Sequence, residues 1–175
     1  MTTVMTVSGI RPDFIRFSEI FRKLDAHPNM DHVLVHTGQH FDKMLSGVFF
    51  EDLNIRKPDF YLSSGGLGKS HYEIVADATK GIIEQVIRRG GVKPDIILFL
   101  GDSNSVVASV GLKKEGFKIG HIEAGMRSYD RRMLEETNRI ICDHCSDLLF
   151  TYHLDYAANL RKVLKVVCSP SATPS

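Results

Sequence analysis

Residues 96–100 read Ile-Ile-Leu-Phe-Leu, an unbroken apolar run introduced by Pro94-Asp95 and closed by Gly101-Asp102. A strand with one face in water alternates apolar and polar side chains, so a run without alternation belongs in a parallel sheet covered on both faces. Parallel neighbours need long crossovers, usually helical, and the rest of the chain supplies them. Val4–Val7, His32–His36, Asp59–Leu62, Phe117–Ile122 and Asp147–Thr151 read as further strands. A helical apolar period appears over Asp13–Ala26, after His40 to about Leu53, and over Ser70–Arg89, Asn104–Glu115, Glu135–Cys145 and Asp155–Val163. Six strands alternating with six helices predict a doubly wound, Rossmann-like parallel α/β sheet with right-handed crossovers.

The length of 175 residues fits one such domain, since domains hold roughly 150 residues. The domain is expected over residues 1–165, with a disordered tail over 166–175, where the sequence turns to Ser, Pro, Ala and Thr. A hydrophobic share of 43% is enough for a core. Lys and Arg number 22 against 21 Asp and Glu. That balance argues against nucleic acid as a partner, because phosphate reading depends on basic excess. No apolar run reaches the roughly 18 residues of a membrane helix, which argues against a membrane partner. Met1–Gly9 lacks signal-peptide architecture, and the odd trio Cys142, Cys145 and Cys168 suits reduced thiols. A cytoplasmic protein is the expectation.

In a doubly wound sheet, ligands bind beyond the carboxyl ends of the strands. The unusual polar residues fall there. Ser8, Gly9 and Arg11 follow the first strand, and Gln39 and His40 the second. The glycines of Ser63–Ser70 follow the third, Gly101-Asp102-Ser103 the fourth, and Glu123, Gly125 and Arg127 the fifth. A random surface would divide such residues between both ends of the sheet, so this rim is the expected site.

Each motif has a plain reading and a chemical one. Arg11-Pro12-Asp13 is either a surface arginine before a capped helix or, with the helix N-terminus, a paired anion site. Arg16, one turn further, can point the same way, and together they suit a phosphate or diphosphate leaving group. Asp102, Glu123 and the pair Glu135-Glu136 would each pass for caps or surface carboxylates if isolated. Converging on one rim with Arg11, they are the raw material of acid–base chemistry, because neighbouring charges displace proton affinities. His121 reads as a core histidine. The loop S-S-G-G-L-G-K-S has Ser63 where a Walker A motif needs glycine, which leaves a turn or a ligand-covering loop. Cys142-Asp-His-Cys145 has zinc-like spacing but no second pair, so core cysteines and no metal are expected.

The ordered series G-I-R-P-D at 9–13, H-T-G-Q-H at 36–40, G-D-S-N-S at 101–105, H-I-E-A-G-M-R-S at 121–128 and E-E-T-N-R at 135–139 is specific where no single member is. Through it, from about Val4 to Leu164, the chain resembles the non-hydrolysing UDP-N-acetylglucosamine 2-epimerases. It departs from them in Leu134, which stands where they carry proline, and in Ser103, which replaces the threonine of G-D-T. The resemblance implies the N-terminal half of a two-domain, glycosyltransferase-B type fold with the active site between the domains. These 175 residues would then lack the second nucleotide-binding domain, and the full-length form would be a homodimer.

The activity so implied converts UDP-N-acetylglucosamine to UDP-N-acetylmannosamine by anti-elimination of UDP, through 2-acetamidoglucal, and re-addition. Asp102, Glu123 and Glu135 form the implied acid–base set; Arg11, Arg16, Gln39, His40 and Arg127 bind the UDP-sugar; no cofactor or metal is needed. Alone, the chain is expected to be inactive. Two other readings stay open: an epimerase of a related sugar, such as a UDP-linked diacetamido-uronic acid or an N-acetyl-fucosamine relative, and a catalytically silent truncated binding module.

Overall fold

The structure is a computed structural model and describes residues 1–38, 50–66 and 68–164. Along the chain come β1 (Thr2–Ser8), α1 (Arg11–Ala26), β2 (Met30–His36), β3 (Phe60–Tyr61), α2 (His71–Arg88) and β4 (Ile96–Leu100). A 3-10 turn (Asn104–Ala108) runs into α3 (Ser109–Lys114), followed by β5 (Ile119–Ile122), α4 (Leu134–Cys145), β6 (Leu148–Phe150) and α5 (Leu154–Val163). The strands form one sheet in the order β3-β2-β1-β4-β5-β6, and every neighbouring pair is parallel. The doubly wound α/β expectation holds. The chain winds outward from β1 to β3, then returns to β4 and winds the other way. The strand order therefore reverses between β1 and β4, which places a crevice above their carboxyl ends.

Strand periodicity divides the core into two layers. Val4, Leu34, Leu98, Leu100 and Ile122 face Phe14, Phe17 and Phe21 of α1. Met5, Val7, Val33, Val35, Ile97, Phe99 and Ile119 face Ala78, Ile82 and Val86 of α2, Leu112 of α3 and Cys142 of α4. The apolar run of β4 is thus shared residue by residue between the layers. Phe17 and Phe21 are fully buried, and truncating either to alanine would cost about 3–5 kcal/mol.

Three element expectations need correction. Asp13 does not stand before α1 as its cap: the helix begins at Arg11, and Asp13 reaches back from inside its first turn. The single helix expected over 104–115 is a 3-10 turn followed by a short α-helix. Its start holds Asn104 and Ser105, whose side chains bond elsewhere, Ser105 Oγ lying 2.8 Å from Thr37 Oγ1, so regular helix is delayed. Strand β5 starts at Ile119 rather than Phe117, because the Phe117 amide donates to the Leu112 carbonyl and closes α3. Of the helix expected after His40, residues 50–52 are helical. Most of that segment, with Gln39 and His40, lies outside the described residues, as does the tail from 165 onward.

Candidate active site at the strand crossover

The crevice is built from three turns. At the end of β1, Asp13 is completely buried, and its Oδ2 accepts the amides of Gly9 at 2.8 Å and Ile10 at 3.0 Å. This fixes the entry to α1 and orients the next helical turn, which carries Arg16. Burial pushes the Asp13 carboxyl up to about 6, against the two backbone amides and Arg16, which lower it.

Arg16 reaches across the crevice to the end of β5. Its Nη1 donates to Glu123 Oε1 at 2.9 Å and Oε2 at 2.8 Å, while its Nη2 lies 3.6 Å from Asp13 Oδ1. The Glu123 side chain is 5% exposed and that of Arg16 is 33% exposed, so the guanidinium is the part of the pair that meets solvent. Glu123 has φ +76, a conformation that costs a non-glycine residue of order 1 kcal/mol. Local strain of this kind persists where surrounding contacts over-determine it, and two sites of contact do so here: Arg16 at the side chain and, one residue on, the Ala124 amide donating to Phe150 of β6.

Between these turns lies the end of β4. Gly101 has φ +72, and a Cβ there would sit 3.0 Å from Glu123 Oε2 and 3.1 Å from Arg16 Nη2. The Gly101 backbone is therefore the floor under the ion pair. Asp102 follows, and its carboxylate is ion-paired to Arg139 of α4. Asn138 Nδ2 also donates to the Asp102 carbonyl at 2.9 Å. The E-E-T-N-R segment thus divides its labour. Glu136 accepts the Ser128 amide at 2.8 Å and the Tyr129 amide at 3.3 Å, pinning the loop after β5, while Asn138 and Arg139 hold Asp102. Glu135 is exposed in the first turn of α4.

Of the residues expected at the site, Arg16, Asp102 and Glu123 meet at one rim. Arg11 is the first residue of α1 and so stands on that rim. Arg127 turns inward: its Nη2 donates to Asp143 Oδ2 at 2.6 Å, and its side chain is buried. The described residues at the end of the Gly-rich loop are tied to the start of α2. Lys69 pairs with Asp77 at 2.6 Å, and Ser70 and Glu73 form a capping box at the start of α2. Sequence reasoning gave no role to Arg139, Asn138 or Asp143. Their signal is helical phase: Glu136, Arg139 and Asp143 fall at i, i+3 and i+7, a charged stripe on the buried side of α4. It also missed Tyr152 after β6, whose hydroxyl is pushed up by burial and by the charge of Glu123, with Arg16 opposing.

Among the described residues no helix is long and apolar enough to cross a membrane. The family model for UDP-N-acetylglucosamine 2-epimerase matches residues 22–166. A UDP-N-acetylglucosamine 2-epimerase of Methanococcus maripaludis is 38% identical over 93% of this chain and 42% of its own length. A UDP-2,3-diacetamido-2,3-dideoxy-D-glucuronate 2-epimerase of Pseudomonas aeruginosa is also 38% identical, over 84% of this chain and 40% of its own. The crystal structure of the Methanocaldococcus jannaschii UDP-GlcNAc 2-epimerase in complex with UDP-GlcNAc and UDP superposes with a TM-score of 0.82 at 33% identity, covering 93% of this chain and 43% of that one. The Neisseria meningitidis enzyme bound to UDP-GlcNAc also gives 0.82, at 26% identity over 92% of this chain and 43% of its own. The chain spans about two fifths of the length of these relatives, and it belongs to the UDP-N-acetylglucosamine 2-epimerase family.

Proposed function

We propose that this chain carries the carboxylate wall of an active site that interconverts UDP-N-acetylglucosamine and UDP-N-acetylmannosamine. The observation that carries the reading is the Arg16–Glu123 pair beside Gly101-Asp102, two carboxylates on neighbouring strand ends with a guanidinium exposed between them and the crevice.

The chemistry that fits is elimination. The hydrogen on C2 of the sugar is not next to a carbonyl and is weakly acidic. As the bond from C1 to the diphosphate oxygen breaks, the ring gains oxocarbenium character and the C2 proton becomes far more acidic. Nearby carboxylates favour that positive charge, as in glycoside hydrolysis. One carboxylate takes the proton, the C1–C2 double bond of 2-acetamidoglucal forms, and UDP leaves with the C1–O electron pair. Return of UDP oxygen to C1, with a proton delivered to the opposite face of C2, gives the epimer. Two acid–base groups are required, and Asp102, Glu123 and Glu135 are the proposed set. Arg16, with Arg11 at the start of α1, takes the charge of the departing diphosphate. Arg127 enters through Asp143 rather than by reaching the ligand, while Gln39 and His40 remain proposed ligand contacts. In this reading a second domain, of the kind that makes up the remaining length of the relatives, supplies the opposite wall, and the complete enzyme is a homodimer.

The test joins these residues to the remaining length of the Methanococcus maripaludis relative and follows UDP-N-acetylglucosamine in deuterium oxide by proton NMR. Epimerisation with solvent deuterium entering C2 is expected. Epimerisation without exchange would overturn the elimination route. The 175 residues alone should turn over little, because one wall neither excludes water nor retains the glucal. The 38% identity to the Pseudomonas aeruginosa relative supports a second reading, with the diacetamido-uronic acid as the sugar. Exchange on that UDP-sugar but not on UDP-N-acetylglucosamine would select it.

A further inference from the structure

Beneath the crevice lies a charged cluster that the proposed chemistry does not use. Asp143 of α4 and His121 of β5 are each fully out of solvent, and Arg127 is nearly so. His121 Nδ1 lies 2.7 Å from Asp143 Oδ1, and its Nε2 lies 2.8 Å from the Gly101 carbonyl oxygen. A carboxylate and a carbonyl oxygen only accept, so both ring nitrogens must donate and the ring is an imidazolium. Asp143 also accepts the Gly125 amide at 3.2 Å and the Arg127 guanidinium at 2.6 Å.

These bonds lead to both carboxylates of the crevice. Through His121, Asp143 grips the carbonyl of Gly101, the residue before Asp102. Through Gly125 and Arg127, it grips the turn that begins with Glu123. Gly125 has φ +76, and a Cβ on it would lie 2.3 Å from the Tyr156 carbonyl oxygen, so α5 closes this turn from the other side. We propose that Asp143 is a positioning residue, which fixes the spacing of Asp102 and Glu123 by tying their two turns to one buried carboxylate through the His121 imidazolium. The catalytic meaning of that spacing rests on the epimerase reading; the clamp itself does not.

The cluster explains why a buried site keeps two cations and one anion. Burial works against a charge on His121, but Cys142 and Asp143 of α4 outweigh it and lift the imidazole to about 10. The groups that face the ring are those two side chains and the Gly101 carbonyl, with Arg127 behind Asp143. Asp143→Asn keeps the shape and removes the anion. His121 and Arg127 then lose the carboxylate that stands between them, and the histidine is the one that can lose its proton.

The experiment is nitrogen-detected NMR of the histidine rings in the 175-residue chain from pH 5 to 9, with amide signals of Gly101, Asp102, Glu123 and Gly125 followed in parallel. In the unaltered chain both His121 nitrogens should stay protonated throughout, with no inflection in the four amides. In Asp143→Asn, His121 should lose its proton at a lower pH than in the unaltered chain, within this range, and all four amides should move with that same midpoint. Arg127→Gln keeps the Asp143–His121 pair and should leave the ring protonated. An unprotonated ring nitrogen in the unaltered chain at pH 7 would overturn the proposal, and this holds even if the asparagine variant fails to fold. Amides of only one turn responding would overturn the clamp. In the joined enzyme described above, Asp143→Asn should lower kcat about 100-fold with KM within about threefold, the cost of misplaced reacting groups. A joined enzyme without C2 exchange, beside an intact NMR result, would remove the epimerase reading and leave the clamp standing.

Discussion

Arg16 and Glu123 are 107 residues apart in sequence, and a single guanidinium nitrogen lies within 2.9 Å of both carboxylate oxygens. The pair joins the first helix to the fifth strand across the crevice where the sheet reverses direction. Removing one partner leaves the other's charge in a partly dry site, whereas removing both leaves neither. Arg16→Gln is expected to lower stability by about 1–2 kcal/mol, less than the roughly 3–5 kcal/mol of a fully buried pair because the arginine is one-third exposed. Adding Glu123→Gln should recover much of that loss. Urea unfolding of the four proteins of the cycle measures the coupling, and strictly additive losses would show that the two side chains do not act together.

How much of this was legible in the sequence follows from the range of each interaction. The unbroken apolar β4 required a covered parallel sheet, and strand–helix alternation required crossovers, so the architecture and the rim followed from local pattern. Asp102 and Glu123 were legible because each follows a strand, and Arg16 because it stands one helical turn past Arg11. Arg127 was legible in position but not in direction. Its neighbour after α/β folding is Asp143, which stands 16 residues away and belongs to a helix whose buried stripe is charged. Hydrophobic periodicity treats a charged position as outward-facing. For that reason it misses Arg139 and Asp143, which are buried because each has an ionic partner.

Gly101→Ala tests whether the floor of the crevice needs to be bare. The substitution places an L-residue at φ +72 and brings a methyl carbon to 3.0–3.1 Å from Glu123 and Arg16. Left-handed backbone costs roughly 1–2 kcal/mol for a residue with a Cβ. The methyl must also displace the ion pair by a few tenths of an ångström. The expected result is a loss of about 2 kcal/mol in urea unfolding, with deuterium exchange at C2 in the joined enzyme reduced at least tenfold. Unchanged exchange in a correctly folded variant would mean that the Arg16–Glu123 spacing is not critical.

Arg56 provides a contrast at the opposite end of the sheet. It donates to Asp25 at 2.9 Å, to Asp59 at 2.9 Å and to the His32 carbonyl at 2.8 Å, tying the end of α1, the start of β2 and the approach to β3. His32 in turn lies 2.6 Å from Asp25 and 2.8 Å from Thr6 Oγ1. The three ion-pair partners are about one-third exposed, so solvent screens them, and Arg56→Ala should cost only about 1 kcal/mol. Because this clasp is remote from the rim, C2 exchange by the joined enzyme should stay within twofold. A large loss of exchange with little loss of stability would place Arg56 in the functional machinery instead.

Asp13 gives a pH dependence whose sign can be worked out. Its carboxyl rises from an ordinary 3.8 to about 6, chiefly through burial. Between those values the folded chain binds the proton and the unfolded chain releases it, so unfolding becomes easier as pH rises through this window. Below about 4 the contribution is absent, and above about 6 it is complete and constant. At about 1.36 kcal/mol per unit, the buried charge disfavours the fold by about 3 kcal/mol at pH 7. Asp13→Asn removes the charge while an amide oxygen still accepts from Gly9 and Ile10. Other carboxylates, such as Asp147 beside Lys113, act in the opposite sense, and burial of Asp147 does not cancel its pairing. Only the difference between the two proteins therefore isolates Asp13. The asparagine variant should match the original near pH 4 and exceed it by about 2–3 kcal/mol at pH 7 in urea unfolding. A difference that stays flat from pH 4 to 7 would show that Asp13 ionises normally, and that its second oxygen is not held dry 3.6 Å from Arg16.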